Sequence, residues 1–428
     1  MIAKGPKIWK PMTAAGAKKR AIWKKTPYTK VPDPAIFKRR ARTQWRQNLH
    51  EVLKATDVWI IKKYVDDKVL PNWKGLTCPV CMKGTMGPLR GPKVSVQPLK
   101  HRCSKKNCQA YINPQYEHPV FTDGSGKGKV SLQRQGAILL CALAEVPQAS
   151  THILLGGKHK AIGGVYRRVE AVFAQDAVAE ERKIQFGQKR KWQEVEGDEA
   201  TFQKEVLLGD TLREHQEKER LVPAQTVKTI SKAQSMKAKK TVPAKWTKKR
   251  VKNTRWEQWV GLVARGLPRS LVLSRLPTKL TTQRSPGPGP IKKIDWKPLG
   301  RKHLEGKCIL FHTDKARAYR LKLKKVLHDV VVHKKKKAVR KGKTVWLRPK
   351  FVEMKTHNVP DGRRITVKTG TQVIDRAWRF IKDRLKHCNA GPGSLLLQTK
   401  VRAAQWRYWN RGSDLWLRMA EALERLRA

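Results

Sequence analysis

Four cysteines constrain the local fold of this chain more than any other feature in it. Cys78-Pro79-Val80-Cys81 is followed, 21 residues later, by Cys103-Ser104-Lys105-Lys106-Asn107-Cys108. Two close thiol pairs, each on a tight turn and separated by a hairpin-length spacer, can close a tetrahedral zinc site. Gly84, Gly87 and Gly91, with the basic residues between the pairs, suit a zinc ribbon. With thiolate at all four positions nothing is left open for water, so the expected site is structural rather than catalytic. The alternative is two unrelated pairs. Cys141, Cys308 and Cys388 lie apart; an odd, scattered set argues for a reducing compartment and against a secreted disulfide scaffold.

The chain has 428 residues, room for two or three domains. Its 95 Lys+Arg against 33 Asp+Glu leave a formal charge of +62. A compact chain so charged repels itself, and a polyanionic partner relieves the repulsion. Nucleic acid is the first candidate. An anionic membrane surface is the second, but there is no apolar run long enough to span a bilayer and no apolar signal segment after the first Met, so the chain reads as soluble. Residues 1–56 carry no acid before Asp33 and mix Lys/Arg with Trp9, Trp23 and Trp45. They read as a flexible basic arm able to touch phosphate and stack its aromatics, with an organelle transit peptide as the alternative. GSGKGK at 124–129 fails the phosphate-loop register, since Gly128 stands where Ser or Thr is needed, and reads as a linker.

Helical spacing places Val58, Ile61, Tyr64, Val65 and Val69 on one face before Pro71 ends the pattern. Residues 57–122 are therefore a helix plus the ribbon. Three helical pieces follow within 130–182, broken by Pro147 and by Gly156-Gly157. This suits a small helix-turn-helix-like domain with Lys158, Lys160, Arg167 and Arg168 available to DNA; a plain three-helix core is the other reading. The stretch WQEVEGDEATF at 192–202 reads as a strand with Glu194, Glu196 and Asp198 on one face and Val195 and Glu199 on the other, or as a solvated turn. Residues 209–252 form a Lys-rich insert with little periodicity. Two β-like runs, 256–263 and 270–276, flank Arg265-Gly266-Leu267-Pro268 as a hairpin.

The apolar run 308–311 reads as a buried strand, and Asp314 stands where it gives way to a helical pattern over 315–323. Asp314 is either placed for chemistry or is a helix N-cap. A further strand is expected at 329–333, then a basic loop from Lys334 through Lys343 that faces solvent or DNA. The clearest helix covers 371–385, with Ile374, Ala377, Trp378, Ile381 and Leu385 as its apolar stripe and Asp375 and Lys382 off its centre. Asp375 near the first turn also compensates the helix dipole. After Gly391-Pro392-Gly393 a last helical region carries Trp406, Trp409 and Trp416, expected to pack on the domain.

A mixed sheet with acids on two strands and one helix can gather Asp198, Asp314 and Asp375. Three such carboxylates repel unless cations sit between them. Two hard cations about 3.5–4 Å apart support in-line phosphoryl transfer, and oxygen-only ligands favour Mg or Mn over zinc.

From about residue 58 onward the sequence resembles the ISXO-type DDE transposases. The resemblance is carried by LPNWKGLTCPVC, the helical segment, EVEGDEATF, ILFHTDKARAY, TQVIDRAWRFIKDRL and the closing QWRYWNR. It implies an α/β chain with an RNase H-like mixed sheet and flanking helices over 190–428, interrupted by the insert at 209–252. It also implies strand cleavage and joining by Asp198, Asp314 and Asp375 with Mg or Mn, zinc at Cys78, Cys81, Cys103 and Cys108, and a DNA-backbone contact at Lys382. The partners it implies are DNA, as transposon ends and target, and further copies of the chain, in a nucleus or, without one, the cytoplasm; a mitochondrial address follows from the transit-peptide alternative. Three departures stand out: Asp375 replaces the family's usual Glu, Gln372 its Asn, and the second thiol pair has four intervening residues. A domesticated descendant, a non-catalytic nucleic-acid binder and a basic ribonucleoprotein component are the competing expectations.

Overall fold

A computed structural model describes residues 21–29, 44–91, 99–122, 130–187, 192–208, 252–331, 336–340, 342–347, 351–360 and 362–427. The glycine-rich stretch at 124–129 and all but the last residue of the insert at 209–252 lie outside these, as does most of the N-terminal arm. After a short helical stretch at residues 21–25 come helices α1 (Leu49–Lys54) and α2 (Asp57–Asp66), whose N-terminal amides are capped by Asn48 and Thr56. Val52 is buried, so the arm's reading as flexible to residue 56 is corrected at its C-terminal end. On α2 it is Ile60, Ile61 and Tyr64 that face inward, while Val58 is exposed.

Two short strands, β1 (His101–Arg102) and β2 (Tyr111–Ile112), then pair antiparallel. Helices α3 (Leu132–Leu143), α4 (Gln148–Leu155) and α5 (His159–Glu181) follow. The breaks predicted at Pro147 and Gly156-Gly157 are present, Pro147 as the N-cap of α4 and Gly156 in left-handed φ at its C-cap. The third helix runs 23 residues, however, and is not short. Nor do these helices stand apart as a small domain. Their buried faces (Ile138, Val165, Val169, Phe173) share one core with residues from both ends of the chain.

The sheet comprises β3 (Gln193–Val206), β4 (Lys252–Ala264), β5 (Val272–Arg275), β6 (Lys279–Thr282), then, after helix α6 (Lys293–His303), β7 (Ile309–Thr313) and β8 (Val326–Val330). The strand order is β5-β4-β3-β7-β8, with β6 also on β4. β3 pairs antiparallel with β4 and parallel with β7, which is parallel to β8. The sheet is therefore mixed, with β3 at its centre. Helix α6 fills the long connection between the hairpin strands and β7, despite an internal Pro298. β8 begins three residues before the expected strand, set by its ladder with β7.

Two antiparallel hairpins come next, β9 (Lys336–Arg340) with β10 (Lys343–Leu347) and β11 (Met354–Asn358) with β12 (Arg364–Lys368). The first corrects the expected basic loop: ladder bonds pair Lys336–Arg340 with Lys343–Leu347. Helices α7 (Gln372–Leu385), α8 (Leu395–Trp409) and α9 (Leu415–Arg427) complete the chain. All five stripe residues of α7 are buried.

Period-two alternation divides the sheet's faces between two cores. On one face Ala200, Trp259 and Val263 meet Ile374, Ala377 and Trp378 of α7 and, beyond them, α3, α5, α8 and α9. On the other, Val195, Val260, Leu262 and Phe311 meet Trp296 of α6 and Tyr319. Gly261 makes the first contact possible. A Cβ there would meet the Trp378 ring at 2.7 Å, so the absent side chain lets α7 lie close on the sheet.

Candidate functional site

β3 and β7 run parallel, with Glu196 opposite His312. Two residues beyond that pair stand Asp198, still on β3, and Asp314, past the last residue of β7. Asp198 is also the cross-strand partner of Gly261, over which the Trp378 ring of α7 lies. Asp314 lies just past the end of β7, and its Oδ1 accepts a hydrogen bond from the Ala316 amide at 2.8 Å. This is a tight side-chain turn. The helix predicted over 315–323 does not form; only Arg317–Arg320 make a single 3-10 turn, so the N-cap reading of Asp314 gives way to a turn.

Asp375 approaches from α7, but the carboxylates of Asp198, Asp314 and Asp375 do not close to within 4.8 Å of one another. It lies in that helix's first turn, exposed, with its Oδ2 accepting from Thr371 Oγ1 at 3.3 Å. Burial pushes the Asp198 carboxyl well above the usual carboxylate range, and the charges of Glu199, Asp375 and Asp314 push it further. Glu199 points to the opposite face, where its oxygens accept from the Tyr319 hydroxyl and from the Ile291 amide. Burial raises its carboxyl as well, with Asp314 adding to the rise and Tyr319 opposing it.

A testable consequence concerns the metal-free protein. The folded Asp198 carboxyl holds its proton more readily than the unfolded one, so its ionisation opposes folding above the raised value. That penalty fades as pH falls through the raised value toward the ordinary range. Asp198→Asn is therefore expected to raise the Tm of chelator-treated protein at neutral pH, and the difference from the parent should shrink on acidification. Thermal melts of both proteins across that pH range measure it; an Asn variant that melts lower at neutral pH contradicts the electrostatic picture.

Beside the three aspartates lies an ion network that periodicity alone did not reveal. Arg265, its side chain 1% exposed, bonds Glu196 through Nε and Glu194 through Nη1, both at 2.7 Å. It also donates to the carbonyls of Lys368 and Gly370. The row continues across the sheet through His312, 3.6 Å from Glu194 and 3.5 Å from Asp329, to His357, 2.8 Å from Asp329. Arg265→Met should lower stability by about 3–5 kcal/mol, because it strands two buried carboxylates without their cation. Urea unfolding of the variant checks this.

The four cysteines of the ribbon segment converge. Their sulfurs all lie within 4.8 Å of one another, alone in doing so among potential metal-binding groups of the described residues. Cys78 and Cys108 are 3.9 Å apart, Cys81 and Cys103 3.8 Å. The amides of Lys83 and Gly84 lower the Cys81 thiol to about 6, while burial pushes Cys103 up to about 12. A Cβ on Gly84 would meet Cys103 Sγ at 2.4 Å, which accounts for glycine at this tight turn. Four thiols so placed can hold a metal ion of the structural, thiolate-bound kind.

The residues named as DNA contacts divide. Lys158, Lys160 and Arg167 are exposed along the start and middle of α5, and Lys382 is exposed on α7. Arg168 instead turns inward, its Nε donating to the Val120 carbonyl at 2.6 Å, so it serves the fold. No helix among the described residues is long and apolar enough to cross a membrane. Neither a family model, nor a curated protein, nor a solved structure matches the chain.

Proposed function

We propose that the chain is a DDE-type transposase, or a domesticated descendant of one, in which Asp198, Asp314 and Asp375 of an RNase H-like domain support metal-dependent cleavage and joining of DNA strands. The observation that carries the reading is electrostatic. Asp314 and Asp375, far from Asp198 in sequence, both raise its carboxyl, which supports their lying near it in the fold although the three do not close to within 4.8 Å of one another. That arrangement costs the metal-free fold stability, and a divalent ion that drew the three carboxylates together would find the oxygen ligands that Mg or Mn prefer. Bound divalent ions would supply an activated hydroxyl and stabilise the leaving oxygen. The chain's own part is to present three carboxylates: one on β3, one on the turn that follows the adjoining parallel strand β7, and one on a helix tied to β3.

The zinc-ribbon reading is supported by the four converging thiols. The DNA partner is supported by charge. A groove of about 780 Å³ beside the thiols is lined by Arg90, Lys100, Arg102, Lys106 and Tyr111, with no acid among its lining residues. The Arg102 guanidinium lies 5.6 Å over the Tyr111 ring, a pairing suited to phosphate and base stacking.

The test is divalent-dependent nicking and joining of duplex DNA that carries candidate terminal repeats, with Mn²⁺ titration calorimetry of the same protein. Strand joining with Mg²⁺ or Mn²⁺, abolished by chelator, is expected. Salt-sensitive DNA binding with neither Mn²⁺ uptake nor strand chemistry would leave a non-catalytic binder on the same scaffold.

A further inference from the structure

We propose that Tyr28, from the N-terminal segment, is a positioning residue for Asp375: its hydroxyl completes, together with Glu196, an external cap on the start of α7. The inference rests on the carboxylate reading above for its functional meaning, and on hydrogen bonding for its geometry.

An α-helix begins with backbone amides that have no partner within the helix, and a side chain at the N-cap normally takes one or two of them. In α7 the N-cap is Thr371, and it makes no side-chain cap bond. Its hydroxyl is turned to Asp375 instead. The first three amides are satisfied from elsewhere in the chain. Glu196 Oε2 accepts from Val373 N at 2.7 Å and Ile374 N at 3.0 Å. Tyr28 Oη accepts from Gln372 N at 3.0 Å. The fourth amide, that of Asp375, bonds the Thr371 carbonyl in the ordinary helical way. A buried anion at a helix N-terminus is also favoured by the helix dipole.

Tyr28 is tied into this arrangement at several points. Its hydroxyl donates to Glu196 Oε1 at 2.7 Å and accepts from Arg265 Nη2 at 3.0 Å. Its ring lies 4.0 Å beneath the Arg265 guanidinium. Five residues earlier Trp23 stacks under Lys368 Nζ at 4.3 Å, so the segment also grips the strand that leads into α7. A part of the chain expected to be a loose basic arm thus sits against the root of the helix that carries the third acid. Glu196 stands two residues before Asp198 on β3, which makes the cap a direct link between the first and third carboxylates. Loss of the hydroxyl would leave the Gln372 amide open and Glu196 one donor short, freeing the turn on which Asp375 sits.

The test uses the full chain with Tyr28→Phe, which keeps the ring over Arg265, and Tyr28→Ala, which removes it. Tyr28→Phe is expected to speed hydrogen exchange at the Gln372 amide at least about tenfold. It should also raise the Mn²⁺ concentration for half-saturation several-fold and lower kcat about tenfold, with KM for DNA and Tm little changed. Tyr28→Ala should add a fall in Tm. Unchanged exchange at Gln372 in Tyr28→Phe overturns the cap. Faster exchange with unaltered Mn²⁺ affinity and kcat overturns the positioning role. A wild-type chain that neither takes up Mn²⁺ nor cleaves DNA removes the carboxylate reading and with it that role, while exchange at Gln372 still decides whether the hydroxyl holds α7.

Discussion

Asp314→Asn is expected to reduce divalent-dependent strand cleavage by a factor of about 10³ or more while leaving the fold intact. The substitution is chosen because of what it keeps. Asn retains the oxygen that accepts from the Ala316 amide, so the turn after β7 survives, and the side chain is otherwise isosteric. What disappears is one of the negative charges that act on Asp198. Without it the site has less to offer a hard cation, whose ligands of choice are ionised oxygens. Asp198→Asn and Asp375→Asn should fall by comparable factors if all three act as one ligand set, and pairs of substitutions should cost little more than single ones. Single-turnover cleavage assays with Mg²⁺ and Mn²⁺, alongside melting curves, measure both halves of the expectation. Activity that persists in Asp314→Asn would take that residue out of the chemistry.

The second large effect concerns the thiols. Removing bound metal with a strong chelator, or replacing buried Cys103 by Ser, is expected to unfold the segment from about residue 73 to 117 and leave the sheet standing. The reason lies in how little else holds that segment. Its own buried apolar cluster consists of Cys78, Met86, Cys103 and Ile112, with Trp73 and Tyr116 packed partly against it. The two strands among its described residues are each two residues long. Two of the four core members are themselves ligand candidates. A structural zinc site of this kind contributes about 10–16 kcal/mol to the folding of a small module, far more than so small a core can replace. Metal analysis should find one zinc per chain, and limited proteolysis should cut the segment rapidly after chelation. Zinc content near zero in folded protein would end this account.

Much of the site could be read from residues in order. The α7 stripe at positions 374, 377, 378, 381 and 385 is a helical period, and all five side chains are buried. The alternation Glu194, Glu196, Asp198 is a strand period, and the first two do share a face, both reaching Arg265. The thiol pairs carried their geometry in their spacing. The errors fell where a local pattern had a nonlocal competitor. The helical pattern after Asp314 yielded to a side-chain turn. Three helices that suggested a separate binding domain instead buried their apolar faces against α8 and α9, where Phe173 stacks on Trp406 at 3.8 Å. Pro298 obscured a helix held by Trp296 against Phe311.

Period and spacing are properties of neighbours along the chain, and they specified the strand that carries Asp198, the helix that carries Asp375 and the thiol cluster because backbone geometry repeats over a few residues. They held no information on which acid would be a ligand candidate and which a cap. Glu196 and Asp198 are two residues apart on the same strand face, yet one meets Arg265, Tyr28 and the amides of α7, and the other faces Asp314 and Asp375. That division arose only when residues 28, 196, 265 and 372, which no periodicity relates, were brought into contact by the packing of α7 on β3.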